Sequence, residues 1–436
     1  MMTKLLKQLI LTITFLGVVT ELNAQVYRTA EEEIQRDIHC SASNHYAYPG
    51  PQQVRLTEAP EGMKPFYISH YGRHGSRFCT SKEQYQTPYA VLAKADSLGK
   101  LTDLGKDVLQ RVAMLKEEAD LRWGELTPLG ARQHQQIAKR MFERFPEVFE
   151  GSPCIDAKST PVIRCILSME NALSQLLTMN PRLRIRHDAS AADVYYMKYD
   201  DKALKAHRMD SVVMAAYQVY VDKYNHHEEL MTKLFNDQQY VRDSIDVSNL
   251  SILLFNLASN IQNTESRKKI TLYDLFSDEA IYETWKVNNM LWYIKYGAYT
   301  LNGGKQPYGQ RFLLRKMIQE ADSCIMLEKP GASLRFGHDT NILPLACLME
   351  LDNYGVETDN LGALERKDWV NFKVVPMAGN IQIIFYRKNV QDKDVFVKVL
   401  LNENEVSLPV KSDEKPYYKW SDVRDYYLKK LDAYQD

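Results

Sequence analysis

Two distant stretches of the chain share one layout: a short apolar run reaches a glycine and a histidine, then opens a helix. The first is Pro65-Phe66-Tyr67-Ile68-Ser69-His70-Tyr71-Gly72-Arg73-His74-Gly75-Ser76-Arg77. The second is Ser333-Leu334-Arg335-Phe336-Gly337-His338-Asp339-Thr340-Asn341. Aromatic and β-branched residues entered from a proline predict a buried strand for the first half of the earlier stretch. Its second half is expected to leave the strand, because Gly72 and Gly75 break the ladder and let backbone approach a ligand closely. Arg73, His74 and Arg77 then stand on a glycine-bounded loop at the carboxyl end of a strand, where ligands sit in open α/β sheets. Guanidinium is planar, permanently charged and bidentate, which matches phosphoryl oxygens.

The 436 residues suffice for a large core, in two domains or in one with a big insertion. A formal net charge of −1 argues against a surface that coats nucleic acid and leaves any anion affinity to a local site. At the N-terminus, Lys4 and Lys7 precede an apolar run from Leu9 to Thr20 that is too short for a good membrane span, and Ala24 closes the segment with a small residue. Residues 1–24 therefore read as a secretory signal peptide, and the mature protein as periplasmic or secreted with no stable membrane insertion. A retained anchor is the alternative. Cys40, Cys79, Cys154, Cys165, Cys324 and Cys347 show no CxxC spacing, which argues against zinc and dithiol chemistry. Export permits disulfides but leaves their pairing open.

Thr87-Pro88 reads as a helix start with Gly99 as its stop. A second helix fits Thr102 to about Glu118, with Leu104, Val108, Leu109, Val112 and Leu115 on one face. A third opens at Thr127-Pro128. Ile155–Lys158 is a candidate strand, and Ser159-Thr160-Pro161 is expected to cap a helix that runs to about Met179. Arg164 then falls in that helix's first turns, where a cation is unfavourable against the dipole unless an anion is also present. Arg164 is thus a candidate third phosphate ligand, with a solvated surface arginine as the alternative. Residues 185–304 read as mostly helical and are expected to be a domain inserted between core halves 25–184 and 305–436. The adjacent His226 and His227 do not face one another on a helix and read as a solvent-facing pair, not metal ligands. His70 and His134 read as core histidines. Ile381–Tyr386 and Val395–Leu401 predict a hairpin, and Trp420 to Tyr434 a closing amphipathic helix.

Phosphoryl transfer needs neutralised oxygens, an in-line nucleophile and a proton for the leaving alkoxide. Arginines supply the first. A neutral imidazole can supply the second, and neighbouring guanidiniums push His74 toward that form. Asp339 can supply the third if it holds a proton, which a nearby phosphate favours. Three guanidiniums replace the charge of a metal pair, so neither metal nor cofactor is required.

Arg73-His74-Gly75-Ser76-Arg77 resembles the Arg-His-Gly-x-Arg signature of the histidine acid phosphatases, the two-domain branch of the histidine phosphatase superfamily. Gly337-His338-Asp339-Thr340-Asn341 resembles that family's His-Asp motif, Leu126-Thr127 with Leu129-Gly130 its Leu-Thr-x-x-Gly segment, and Ser159-Thr160 with Arg164 and Ser168 its Ser-Thr…Arg…Ser helix. Val397–Asn402 resembles its late strand. The resemblance implies an α/β fold with a Rossmann-like, mostly parallel sheet flanked by helices and an inserted α-helical domain over the cleft. It implies His74 as a nucleophile that becomes phosphohistidine, Arg73, Arg77, Arg164 and His338 as phosphate ligands, and Asp339 as proton donor and then base. The expected partner is a small phosphorylated substrate, and inositol polyphosphates such as phytate are one class. A broad-specificity or sugar-phosphate phosphatase is the alternative, and a non-catalytic phospho-ligand binding protein a further one. Two departures stand out. Cys79 occupies the place where the family often has proline. Thr80 and Lys82, which the resemblance puts near the substrate's outer groups, are split by Ser81 where phytases often have Thr-Lys. The basic run from Arg182 to Arg186 is either further support for a polyanionic substrate or a solvated edge strand.

Overall fold

The computed structural model describes residues 29–392 and 394–435, so the signal-peptide expectation for residues 1–24 lies outside the described residues. The sheet is built from β1 (Lys64–Arg73), β2 (Cys154–Ser159), β3 (Arg184–Asp188), β4 (Gly331–Gly337), β5 (Asn380–Arg387), β6 (Phe396–Leu401), β7 (Asn404–Val406) and β8 (Tyr418–Lys419). Their order is β8-β6-β5-β1-β4-β2-β3, with β7 paired to β6. β1, β4, β2 and β3 are parallel, whereas β5 joins β1 antiparallel and β6 joins β5 antiparallel. The sheet is thus parallel on one side of β1 and a hairpin-built extension on the other. That hairpin is the one expected, with Tyr386 opposite Phe396.

Successive side chains of a strand point to opposite faces. Tyr67 and Tyr71 of β1 accordingly enter one apolar cluster, together with α7 (Asp278–Tyr296), α8 (Arg311–Cys324), α9 (Asp339–Leu348) and α10 (Trp420–Asp432). Ile68 enters another, covered by α3 (Pro128–Arg144) and α4 (Ile163–Met179). A third cluster joins α1 (Glu83–Ser97) and α2 (Asp103–Glu118) to α5 (His227–Leu234) and α6 (Val247–Ile261). Helices from the expected insertion therefore share their core with helices from before β2.

Several local expectations differ from the structure. β1 does not stop at Gly72, which pairs with both Phe336 and Asn380. That glycine serves packing: a Cβ there would lie 2.7 Å from Cε1 of His70. α1 begins at Glu83, not at Thr87, and carries Pro88 inside it. Tyr85, Pro88 and Leu92 face the core at helical spacing, and that burial outweighs the one backbone bond a proline forfeits. α4 begins at Ile163 behind Val162, without a side-chain cap. The Thr160 hydroxyl, expected to cap it, instead lies 3.2 Å from Nε2 of His338. His226 and His227 are half-buried, and His226 Nε2 sits 2.5 Å from Glu283. The basic run leads into β3, the exposed outermost strand, where Arg186 pairs with Asp156 at 2.9 Å. It is a solvated edge. The six cysteines are all free. Among the described residues no helix is long and apolar enough to cross a membrane.

Candidate active site

Register creates the site. Parallel pairing sets Arg73 of β1 opposite Gly337 of β4, so the residues that follow, His74 and His338, leave the sheet side by side. Their ring centroids are 5.9 Å apart at an interplanar angle of 72°. The His74 N–H donates to the Gly337 carbonyl at 2.9 Å, and the Ala378 N–H donates to the His74 carbonyl at 2.9 Å. Asp339 opens α9 directly behind His338.

The loop after His74 is clamped by backbone packing against the start of α3. A Cβ on Gly75 would lie 2.6 Å from Cα of Gly130, and a Cβ on Gly130 would lie 2.7 Å from N of Ser76. Neither position has room for a side chain. Thr127 caps α3 and also donates to the Ser76 carbonyl at 3.1 Å. Ser168 of α4 accepts from the Gly75 N–H at 3.1 Å. These contacts give physical content to the Leu-Thr-x-x-Gly segment and to Ser168.

His74 is 2% exposed. Its Nδ1 lies 2.9 Å from the Gly75 carbonyl, which can only accept, so the proton is on Nδ1 and Nε2 keeps its lone pair. Burial, then the charges of Arg73, Arg164 and Arg77, hold this imidazole well below the usual histidine range. His338 is pushed down to about 3, mainly by burial, and is neutral as well. Arg73 is fully buried; Nη1 donates to the Asn44 carbonyl at 2.6 Å and to the Val375 carbonyl at 2.8 Å. Its Nη2 lies 2.8 Å from Oδ2 of Asp339 but is not aligned for a hydrogen bond. Burial alone would raise Asp339; the Arg73 charge, the Asn44 amide and Arg77 overcome it and hold the carboxyl well below the carboxylate range. Nε of Arg73, Nε of Arg77 and Nε of Arg164 are buried donors with no acceptor among the described residues, and Nη2 of Arg73 has its ion pair with Asp339 but no hydrogen bond. Buried donors are normally paired, so this group is set up for an anion that supplies acceptors.

Arg164 is the second residue of α4, half-buried, its Nη1 reaching toward the Gly124 carbonyl. Burial lowers it, and Arg77 adds to that. The structure thus brings together Arg73, His74, Arg77, Arg164, His338 and Asp339. Thr80 and Lys82 are exposed. Thr80 flanks Gly124 beside Arg164, and Lys82 lies 5.9 Å over the Trp123 ring. Cys79 donates its N–H to the Tyr85 hydroxyl at 2.9 Å, a bond the family's proline could not make. Three residues were not foreseen. Asn44 donates to Asp339 Oδ2 at 2.9 Å. His45 is near enough to Arg77, Arg73 and Asp339 to feel their charges, and burial first, then the two arginines, push it down to about 3. Lys198 is exposed and acts electrostatically on His338.

The family model of the histidine phosphatase superfamily (branch 2) matches residues 72–402. The chain belongs to this superfamily. By family it is a histidine acid phosphatase, a phosphatase enzyme. No curated protein matches it by sequence. Among solved structures, the multiple inositol polyphosphate phosphatase of Bifidobacterium longum, in complex with inositol hexasulfate, superposes with a TM-score of 0.74 at 17% identity, over 89% of this chain and 97% of that one. The phytase from D. castellii gives 0.66 at 14% identity, over 95% and 90%. A Hafnia alvei phytase in complex with tartrate gives 0.52 at 14% identity, over 85% and 98%. At these identities the superpositions establish the shared fold.

Proposed function

We propose that this histidine acid phosphatase hydrolyses phosphate monoesters through a phosphohistidine formed on His74. One observation carries the reading: unpaired, buried guanidinium donors of Arg73, Arg77 and Arg164 surround an imidazole that is neutral and has a free Nε2 lone pair. Phosphate oxygens take those donors, with His338 beside them. His74 Nε2 attacks phosphorus as the ester P–O bond breaks, and Asp339 gives its proton to the leaving alkoxide. Asp339 then takes a proton from water, whose oxygen attacks phosphorus and breaks the P–N bond, releasing phosphate. In the resting protein Asp339 is a carboxylate paired with Arg73. A bound phosphate draws on Arg73 and adds negative charge facing the carboxylate, and both raise its affinity for a proton.

As substrates we propose inositol polyphosphates. The Bifidobacterium relative is named for them, and Lys82 and Lys198 add cations outside the arginine set. We also propose export, on the strength of the charged and apolar N-terminal segment. The test is phosphate release at acidic pH without added metal from phytate, glucose 1-phosphate and an aryl phosphate. His74→Ala is expected to abolish release from all three, and to remove the acid-labile, base-stable protein phosphate that the native chain forms. Release that survives in His74→Ala overturns the mechanism.

A further inference from the structure

Residues 38–45 wind as a 3-10 turn beside the ends of β1 and β4. Long-range bonds pin the turn: Asn371 Nδ2 donates to the Ser43 hydroxyl at 2.7 Å, and Asn263 Nδ2 donates to the His45 carbonyl at 2.7 Å. Ser43 is forced to φ 56° and ψ −121°, a conformation an L residue holds only when its surroundings impose it. The next side chain, Asn44, is thereby delivered to Asp339, 295 positions away in sequence. Asn44 Nδ2 donates to Oδ2 at 2.9 Å, while the Thr340 N–H donates to Oδ1 at 2.8 Å. Each carboxylate oxygen has one fixed neutral donor.

Resting on the reading of Asp339 as proton donor, we propose that Asn44 is a positioning residue that orients the Asp339 carboxyl and keeps it acidic enough to release its proton to the leaving group. A neutral amide suits this task. Arg73, the other partner of Oδ2, is committed to phosphate once substrate binds, whereas Asn44 carries no charge for phosphate to attract. Arg77 and Arg164 face Asp339 from the loop and from α4, and His45 and His338 face it from the turn and from its own chain neighbour. Tyr71 of β1, Tyr296 of α7 and Cys165 of α4 also sense its charge, and burial keeps all three protonated. When substrate neutralises the arginines, the Asn44 amide and the Thr340 N–H remain as the donors that favour the ionised carboxylate.

The experiment is the pH dependence of kcat/KM for an alkyl and an aryl phosphate in the full chain, in Asn44→Leu and in Asn44→Asp. For the alkyl phosphate, whose alkoxide needs a proton, Asn44→Leu is expected to move the alkaline limb up by about one pH unit, the worth of one hydrogen bond to a carboxylate. Asn44→Asp sets a second carboxylate against the first and moves it further. The aryl phosphate, whose leaving group needs no proton, keeps its profile. Asn44→Asp preserves side-chain size and serves if the leucine variant is poorly folded. Unshifted limbs, or equal slowing of both substrates, overturn the role of Asn44 while native turnover leaves the phosphatase reading standing. A native chain that releases no phosphate overturns both.

Discussion

The contact between Gly75 and Gly130 makes the most demanding prediction. In Gly75→Ala the added Cβ would lie 2.6 Å from Cα of Gly130 and would also strike the Gly130 carbonyl. Ordinary carbon–carbon contact is about 3.5 Å or more, so the loop and the start of α3 must part by about 1 Å. The obstacle is backbone on both sides, and α3 is held by its Thr127 cap and by Ser76 N–H donating to Gln133 at 2.8 Å. The loop begins at His74, so parting the two backbones displaces His74. A displacement of about 1 Å in a reacting group costs on the order of 100-fold in rate. Overpacking of this kind also costs about 1–3 kcal/mol of stability. Gly75→Ala is therefore expected to lower kcat about 100-fold while the protein remains folded, as read by steady-state phosphate release and thermal unfolding. Gly130→Ala strikes Ser76 across the same contact and should produce a similar loss. Because both changes open one gap, the double variant should be far less than multiplicative. A Gly75→Ala enzyme within a few-fold of the native kcat would refute the claim that this backbone contact sets the position of His74.

Asp339→Asn removes the proposed acid and should lower kcat/KM for an alkyl phosphate at least about 100-fold while changing an aryl phosphate much less. It also deprives buried Arg73 of its counter-charge, so unfolding should become easier by about 3 kcal/mol. Equal slowing on both substrates removes Asp339 from the acid role. His70 is held neutral in the core, pushed down to about 3 by burial and then by His134 and Arg335. Its folded pKa lies below the unfolded value near 6.5, so the unfolded chain binds the proton first and stability is lost as pH falls from about 6.5 toward about 3. At pH 5 that loss is about 2 kcal/mol relative to pH 8. His70→Phe should narrow the stability difference between pH 8 and pH 5 by about that amount in urea unfolding, and an unchanged difference would count against a neutral buried imidazole.

The chemistry-bearing stretches were readable because they are local. Arg73, His74 and Arg77 lie within five positions beside two glycines, and His338 and Asp339 are neighbours; no folding is needed to see such groupings. Composition and periodicity likewise determined the strands at 155–158 and 381–386 and the helices behind Thr102 and Thr127, since caps and amphipathic faces act over a few residues. Tertiary structure decided everything that depends on what comes to lie opposite. Gly72 stays in the ladder because neighbouring strands pair with it on both sides, and Pro88 stays in α1 because the core buries it. Thr160 serves His338 instead of capping a helix. Asn44 and His45 carry no motif, and nothing in residues 41–46 marks them as neighbours of a carboxyl hundreds of positions away. Their place follows from strand register and from long-range bonds to Asn263 and Asn371. Local preferences are written in short segments, whereas proximity across the sheet arises only when distant segments share one core, and the state of Asp339 belongs to that second kind of fact.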